Sequence, residues 1–320
     1  MNQLEREPHF GQFALRTLKP FAEQFMLQYV NGQKGCRIAY RFFEHPQQST
    51  QDQPRKLMIL VSGRGENLLK WTEIAYDFYH QGYDVLTFDH RGQGYSQRLL
   101  PDSDKGYIDR FDYYLDDLDL VIHSVNHRHP YQQQGILAHS LGGLIATLYL
   151  AKYPHKIDKL ILSAPLFALP LKNPFFDPLI VNLMVLFGQD QRYVFGKTAY
   201  KPVDPEVNDL SFCKTRMKWM NRINRRFPLL HLGGPTFRWA HQCFNQFKKL
   251  PRAIDKIQIP VMLLQAEKEV IVSNRQIEKY AELFHHLRHE IIRNAKHEVL
   301  FERDHIRQIA LDKISDFLAG

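Results

Sequence analysis

Three short stretches carry side chains suited to acyl transfer. "GILAHSLGGL" (135–144) places Ser140 between His139 and Leu141, with Gly142 and Gly143 following. "AEKEVIV" (266–272) offers Glu267 and Glu269, and "NAKHEVLFE" (294–302) offers His297. A serine hydroxyl attacks a carbonyl only when a base removes its proton, and the base needs an acid to orient it. Serine, acid and histidine in this chain order, each in the turn after a strand, fit a nucleophile elbow followed by its partners. Such an elbow is so sharp that its neighbours must be small. Ala138 stands where glycine is usual, one methyl larger, and Gly142 holds the second small position. A packing turn with Ser140 as a helix N-cap accounts for the serine alone, but not for the ordered set. His139 is expected to point away from Ser140, and His305 falls within the last helix, so both are weaker candidates than His297.

The tetrahedral oxyanion of such a reaction needs two N–H donors. The backbone N–H of Leu141, at the start of a helix, supplies one. The turn in "LVSGRGEN" (60–67) supplies the other: Gly63 permits the bend and the N–H of Arg64 donates. The same stretch lacks the third glycine and the Lys-Ser/Thr ending of phosphate-binding loops. No Cys/His spacing calls for a metal, and no cofactor is expected.

These residues need a frame that delivers them to one rim. "EQFMLQYV" and "CRIAYRFF" read as strands flanking the turn "NGQKG". A polar link, "HPQQSTQDQPR", follows. Strands and helices then alternate: strands in "KLMILVS", "YDVLTFD", "GILAHS", "KIDKLILSAP", "IPVMLLQAE" and "HEIIRN", with helical spacing between them and in the final "RQIALDKISDFLAG". Alternation of this kind predicts an α/β architecture, a mainly parallel, doubly wound sheet with helices on both faces. Ligands in such sheets bind at the C-terminal strand ends. The alternation breaks between 166 and 254, which is rich in proline and aromatics and is expected to be an inserted, mostly helical cap. The core is then 1–165 with 255–320.

The formal net charge is +8. Between Leu210 and Ile254 stand ten Lys and Arg residues and no acid, so the basicity belongs to one segment. On a helical wheel over 214–227, Met217, Trp219, Met220, Ile223 and Phe227 share one side. Lys214, Lys218, Arg222, Arg225 and Arg226 share the other, and Arg216 is the exception. A basic amphipathic helix can lie on an anionic membrane, so Lys218, Arg222, Arg225 and Arg226 are expected to face substrate or membrane; the competing reading is a solvated cap face. Stacked aromatics in a basic groove are missing, and no nucleic acid is expected.

Three cysteines, Cys36, Cys213 and Cys243, lie far apart and form no disulfide framework. The first residues lack an apolar signal core, and "PLIVNLMVLFG" is too short to span a bilayer. A soluble, cytoplasmic protein is expected, with peripheral contact to the inner face of the membrane as its further reach.

Taken with these motifs, "FDHRGQGYS", "SGRGEN", "LAHSLGG", "GGPTFRW" and "LLQAEKEV" make the chain resemble the α/β-hydrolase superfamily. Within it the resemblance is to the monoacylglycerol-lipase and serine-aminopeptidase-like branch, from about Phe21 to the last helix. The resemblance implies an α/β-hydrolase fold with Ser140 as nucleophile, Glu269 as orienting acid and His297 as base. Ser62 replaces the branch's histidine and Glu269 its aspartate, departures that point to the lysophospholipase group. The implied activity is a serine carboxylester hydrolase cleaving the acyl ester of a lysophospholipid or another single-chain lipid. The rivals are a monoglyceride lipase, esterase or peptidase of the same fold, and a non-catalytic membrane- or nucleic-acid-binding protein.

Overall fold

The computed structural model describes residues 5–46, 55–171 and 173–320; most of the polar link expected after β2 lies outside them. The N-terminal helical segment, α1 (Phe10–Phe13) and α2 (Lys19–Glu23), leads into the antiparallel hairpin β1 (Leu27–Asn31) and β2 (Arg37–Phe43). From there helices alternate with strands: β3 (Lys56–Val61), α3 (Leu68–Tyr79), β4 (Tyr83–Phe88), α4 (Asp112–Asn126), β5 (Gln133–His139), α5 (Leu141–Lys152) and β6 (Lys159–Ser163). After β6 come α6 (Phe176–Leu186), α7 (Lys214–Arg226), α8 (Phe237–Phe247) and α9 (Leu250–Ile254). The sheet then resumes with β7 (Val261–Ala266), α10 (Asn274–Ala281), β8 (Leu287–Ile292) and α11 (Asp304–Ala319).

Among the described residues one eight-stranded sheet runs in the order β1-β2-β4-β3-β5-β6-β7-β8. β1, β2 and β4 pair antiparallel; β4, β3 and β5 to β8 pair parallel. The side-chain alternation of strands sorts the core into two layers. Leu57, Ile59 and Val61 of β3, with Ile136 and Ala138 of β5, pack with α4 and α5, whereas Met58, Leu60 and Leu137 pack with α3 and α11. Both faces are covered, which is why these strands read as continuous apolar runs. Caps fix where helices begin: the Asn67 side chain accepts from the N–H groups of Leu69 and Lys70 at α3, and Ser273 accepts from Gln276 at α10.

The basic segment is tied to helices α3 and α11 by a buried ionic cluster. Arg216 of α7 donates to Glu73 of α3 at 2.8 Å and to Asp304 of α11 at 2.8 Å. Arg6 meets Asp77 at 2.8 Å, and Arg307 meets Asp77 as well. The off-pattern arginine of the helical wheel is therefore an internal ion-pair partner. Among the described residues no helix is long and apolar enough to cross a membrane.

Candidate active site

Ser140 sits where β5 becomes α5, with φ 50° and ψ −116°. A non-glycine residue rarely adopts such a positive φ; here packing imposes it. A Cβ on Gly142 would lie 2.1 Å from the Val61 carbonyl oxygen, and one on Gly143 would lie 2.7 Å from Pro165 Cβ. The elbow is pressed between the ends of β3 and β6, and only glycine fits at both places. The Ser140 side chain makes no capping hydrogen bond to its helix, so the N-cap role is not what occupies it.

Its hydroxyl instead meets His297: Oγ stands 3.0 Å from Nε2. His297 comes from the loop between β8 and α11, and its Nδ1 lies 2.7 Å from Glu269 Oε2. Glu269 lies in the turn after β7. Its other oxygen, Oε1, accepts from the N–H groups of Ile271 at 2.7 Å and Val272 at 3.1 Å. Burial raises the Glu269 carboxyl, but the hydrogen bond and charge of His297 and these two amides outweigh it and hold the group below its ordinary value. An ionised Glu269 only accepts, so Nδ1 carries the proton and Nε2 is free to accept from the serine hydroxyl. Glu267 takes no part: its exposed carboxylate accepts from the N–H of Asn294 at 3.0 Å, which lowers its pKa.

Arg64 lines Ser140's cavity, and Leu141 follows Ser140 as the first residue of α5. Among the described residues, neither backbone N–H enters a hydrogen bond. The adjacent Gly63 N–H donates to Glu66 Oε2 at 2.5 Å. Glu66 also accepts from Trp71 Nε1 at 3.0 Å, and Lys70 holds both Glu66 at 2.7 Å and Glu298 at 2.5 Å. Burial raises Glu66, but Lys70 and the other partners bring it down to about 2. This anchor of the Gly63–Arg64 turn was not singled out in the sequence, although the Glu66–Lys70 spacing of four on a helix start is a readable signal.

Against the expectation that His139 points away from Ser140, the two line one cavity; the His139 ring centroid lies 4.7 Å from that of His297, and Nδ1–H donates to the Ser163 carbonyl at 3.0 Å. β5 alternation puts His139 on the same face as Leu137, the side from which the loop before α11 brings His297. Burial lowers His139 to about 4.

A cavity of about 860 Å³ opens above Ser140, with Leu169, Val181, Phe237, Trp239 and Phe244 on its walls beside His297. A second, of about 580 Å³, adjoins it and shares Arg64, Glu66, Lys197 and Glu298. Lys218, Arg222, Arg225 and Arg226 line neither. They edge a further groove with Leu15, Lys19 and Arg41, which meets the second cavity at Trp219 but not the cavity of Ser140, so the structure does not bring them to Ser140.

Compared with known proteins, the chain matches the family described as "Serine aminopeptidase, S33" over residues 52–304. It is 56% identical over 313 residues to the probable lysophospholipase L2 of Haemophilus influenzae, covering 98% of each chain. It is 34% identical over 271 residues to lysophospholipase L2 of Escherichia coli, covering 82% of this chain and 80% of the relative. Among solved structures, a soluble variant of monoglyceride lipase from Saccharomyces cerevisiae superimposes with a TM-score of 0.70 at 20% identity, covering 92% of this chain and 96% of that one.

Proposed function

The chain belongs to the serine aminopeptidase S33 family and has the α/β-hydrolase fold, and from that premise we propose that this ester hydrolase is a lysophospholipase working through Ser140, His297 and Glu269. The observation that carries the reading is the unbroken run of hydrogen bonds from Glu269 through His297 to Ser140 at the floor of an apolar cavity.

In this reading Ser140 Oγ attacks the acyl carbonyl as its proton passes to His297 Nε2. Glu269 stabilises the imidazolium through Nδ1–H. The N–H groups of Arg64 and Leu141 take the oxyanion. His297 then protonates the departing glycerophosphoryl alcohol, leaving an acyl-enzyme, and afterwards accepts a proton from the water that attacks it. Water frees the fatty acid and restores the serine. The apolar walls of Ser140's cavity suit a single acyl chain, and the 56% identity to a probable lysophospholipase supports the phosphate-bearing leaving group.

The segment 166–254 is read as a cap over the strand ends. Its helix α6 exposes Phe175 and Phe176 at its start and Leu186 and Phe187 at its end, while Ile180 and Val181 line Ser140's cavity. Apolar surface beside the cavity mouth supports contact with a lipid surface, to which the basic face of α7 adds attraction for anionic headgroups.

The test is release of fatty acid from a lysophospholipid and from the monoacylglycerol of matched chain, by the wild type and by Ser140→Ala. Wild-type turnover of the lysophospholipid that Ser140→Ala abolishes supports the reading. Preference for the monoacylglycerol moves the assignment to a monoglyceride lipase, and full activity of Ser140→Ala removes the mechanism.

A further inference from the structure

The "GGPTFRW" stretch has no part in the chemistry above, yet it meets the site. Gly233 and Gly234 form a turn clamped between two other segments. A Cβ on Gly233 would lie 2.8 Å from the Asp104 carbonyl oxygen and from the Tyr200 nitrogen, and one on Gly234 would lie 2.5 Å from Lys197 Cβ. The Gly234 N–H donates to the Thr198 carbonyl at 2.7 Å. The clamp leaves the Gly233 carbonyl for Arg64, whose Nη2 donates to it at 2.5 Å. The Arg64 side chain is thereby held on the Gly233 carbonyl, the base of the Lys197 side chain packs against Gly234, and both residues stand on the wall that the two cavities share.

The charge of Arg64 is unanswered. The fully buried arginines face carboxylates, Arg91 facing Asp117 and Arg216 facing Glu73 and Asp304, whereas among the described residues the part-buried Arg64, like Arg41 and Arg98, has none at ion-pair distance. Arg64 has its guanidinium 5.2 Å from the Trp239 ring, one carbonyl partner, and a buried Nε with no hydrogen-bond partner. Among the described residues, neither Arg64, Lys197 nor Lys201 of the second cavity has a carboxylate at ion-pair distance. The acids on the shared wall, Glu66 and Glu298, are both held by Lys70. Burial lowers the Arg64 pKa to about 10, the mark of a cation short of counter-charge. An arginine placed over an aromatic ring, with donors to spare, suits phosphate.

We propose that the side chains of Arg64 and Lys197 form a phosphate subsite, so that the headgroup phosphate of a lysophospholipid sits in the wall between the two cavities. The proposal rests on the lysophospholipase reading. It gives Arg64 two ends: its backbone N–H faces the ester oxygen, and its guanidinium stands off by a side chain comparable in length to the glycerol between ester and phosphate. The apolar cavity then takes the acyl chain and the second cavity takes the group beyond the phosphate. The basic face of α7, which lines neither cavity, has no share in this recognition.

The test is the ratio of kcat/KM for a short-chain lysophosphatidylcholine to that for the monoacylglycerol of the same chain, both kept below micelle formation. Arg64→Gln is expected to lower the ratio by about 30-fold or more, Lys197→Gln by about fivefold, and Arg64→Lys by less than Arg64→Gln. Because Arg64 also braces the Gly233 turn, Lys197→Gln, an exposed substitution, keeps the test open if Arg64→Gln does not fold. Inorganic phosphate is expected to inhibit wild-type hydrolysis of the lysolipid and to inhibit Arg64→Gln less. A ratio unmoved in both variants overturns the proposal, whether the two activities fall together or stay put. Relief of phosphate inhibition with an unmoved ratio also overturns it, assigning the site to a free anion. A wild type that turns over the monoacylglycerol but not the lysolipid refutes the lysophospholipase reading instead, and the subsite with it.

Discussion

A Cβ on Gly142 would lie 2.1 Å from the Val61 carbonyl oxygen, so the first turn of α5 rests directly on the end of β3. That contact drives Ser140 to φ 50° and lifts its hydroxyl off the helix. The obstacle is backbone, which cannot step aside as a side chain can. Gly142→Ala is therefore expected to cost several kcal/mol, about 3 or more, and to abolish hydrolysis. Gly143→Ala meets Pro165 Cβ at 2.7 Å and should cost less. Urea unfolding of both variants checks the order; equal stability of Gly142→Ala and wild type would show that the elbow has room.

Two glutamates share the turn after β7, and only one reaches His297. Glu269→Gln keeps the shape but turns a pure acceptor into a group that can also donate, which misorients the imidazole. Its kcat is expected to fall by about 10³-fold or more, while Glu267→Gln stays within about threefold of the wild type. Steady-state kinetics on a soluble short-chain ester check both, and a comparable loss in Glu267→Gln would reverse the assignment.

Here the limit of the sequence was physical. The strand-to-helix serine was legible because small residues at fixed spacing have few other uses, and the strand order followed from alternation. The choice between Glu267 and Glu269 was open because a turn, unlike a strand or helix, has no period to say which side chain turns inward. His139 was misread because its placement depends on which loop arrives at that face of β5. The Glu66–Lys70–Glu298 set looks like surface charge in sequence and becomes interior only when the β6–β7 segment covers it. Arg216 left a trace: a lone cation on the apolar side of an amphipathic helix marks a buried ion pair.

His139 is held neutral, with its pKa lowered by burial from 6.5 to about 4. Between these values the unfolded chain binds a proton that the folded chain does not, so stability falls as pH drops from about 6.5 toward 4. The loss through this residue is about 3 kcal/mol over the window. Asp89, raised to about 7 by burial against the amides of Tyr95 and Leu68, acts in the opposite sense, so the informative quantity is a difference. His139→Gln should lose less stability than the wild type on acidification, as read by urea unfolding at a series of pH values. Parallel pH profiles would mean that His139 is not held neutral.

The basic face of α7 is separate from the chemistry. Replacing Lys218, Arg222, Arg225 and Arg226 together with Gln removes four positive charges, each worth about 1 kcal/mol near an anionic surface. Sedimentation with phosphatidylserine-containing vesicles should show weakened binding, at least tenfold, while turnover of a soluble short-chain ester is kept. Undiminished vesicle binding would leave this face as ordinary solvated surface.

In the proposed mechanism Ser140 is made nucleophilic by His297, held by Glu269. Labelling with a fluorophosphonate, located by peptide mass spectrometry, tests it most directly. A single adduct on Ser140 is expected, formed at a rate that falls by about 10³-fold in His297→Gln. An adduct on another residue, or a Ser140 that stays unlabelled while the enzyme hydrolyses ester, would contradict it.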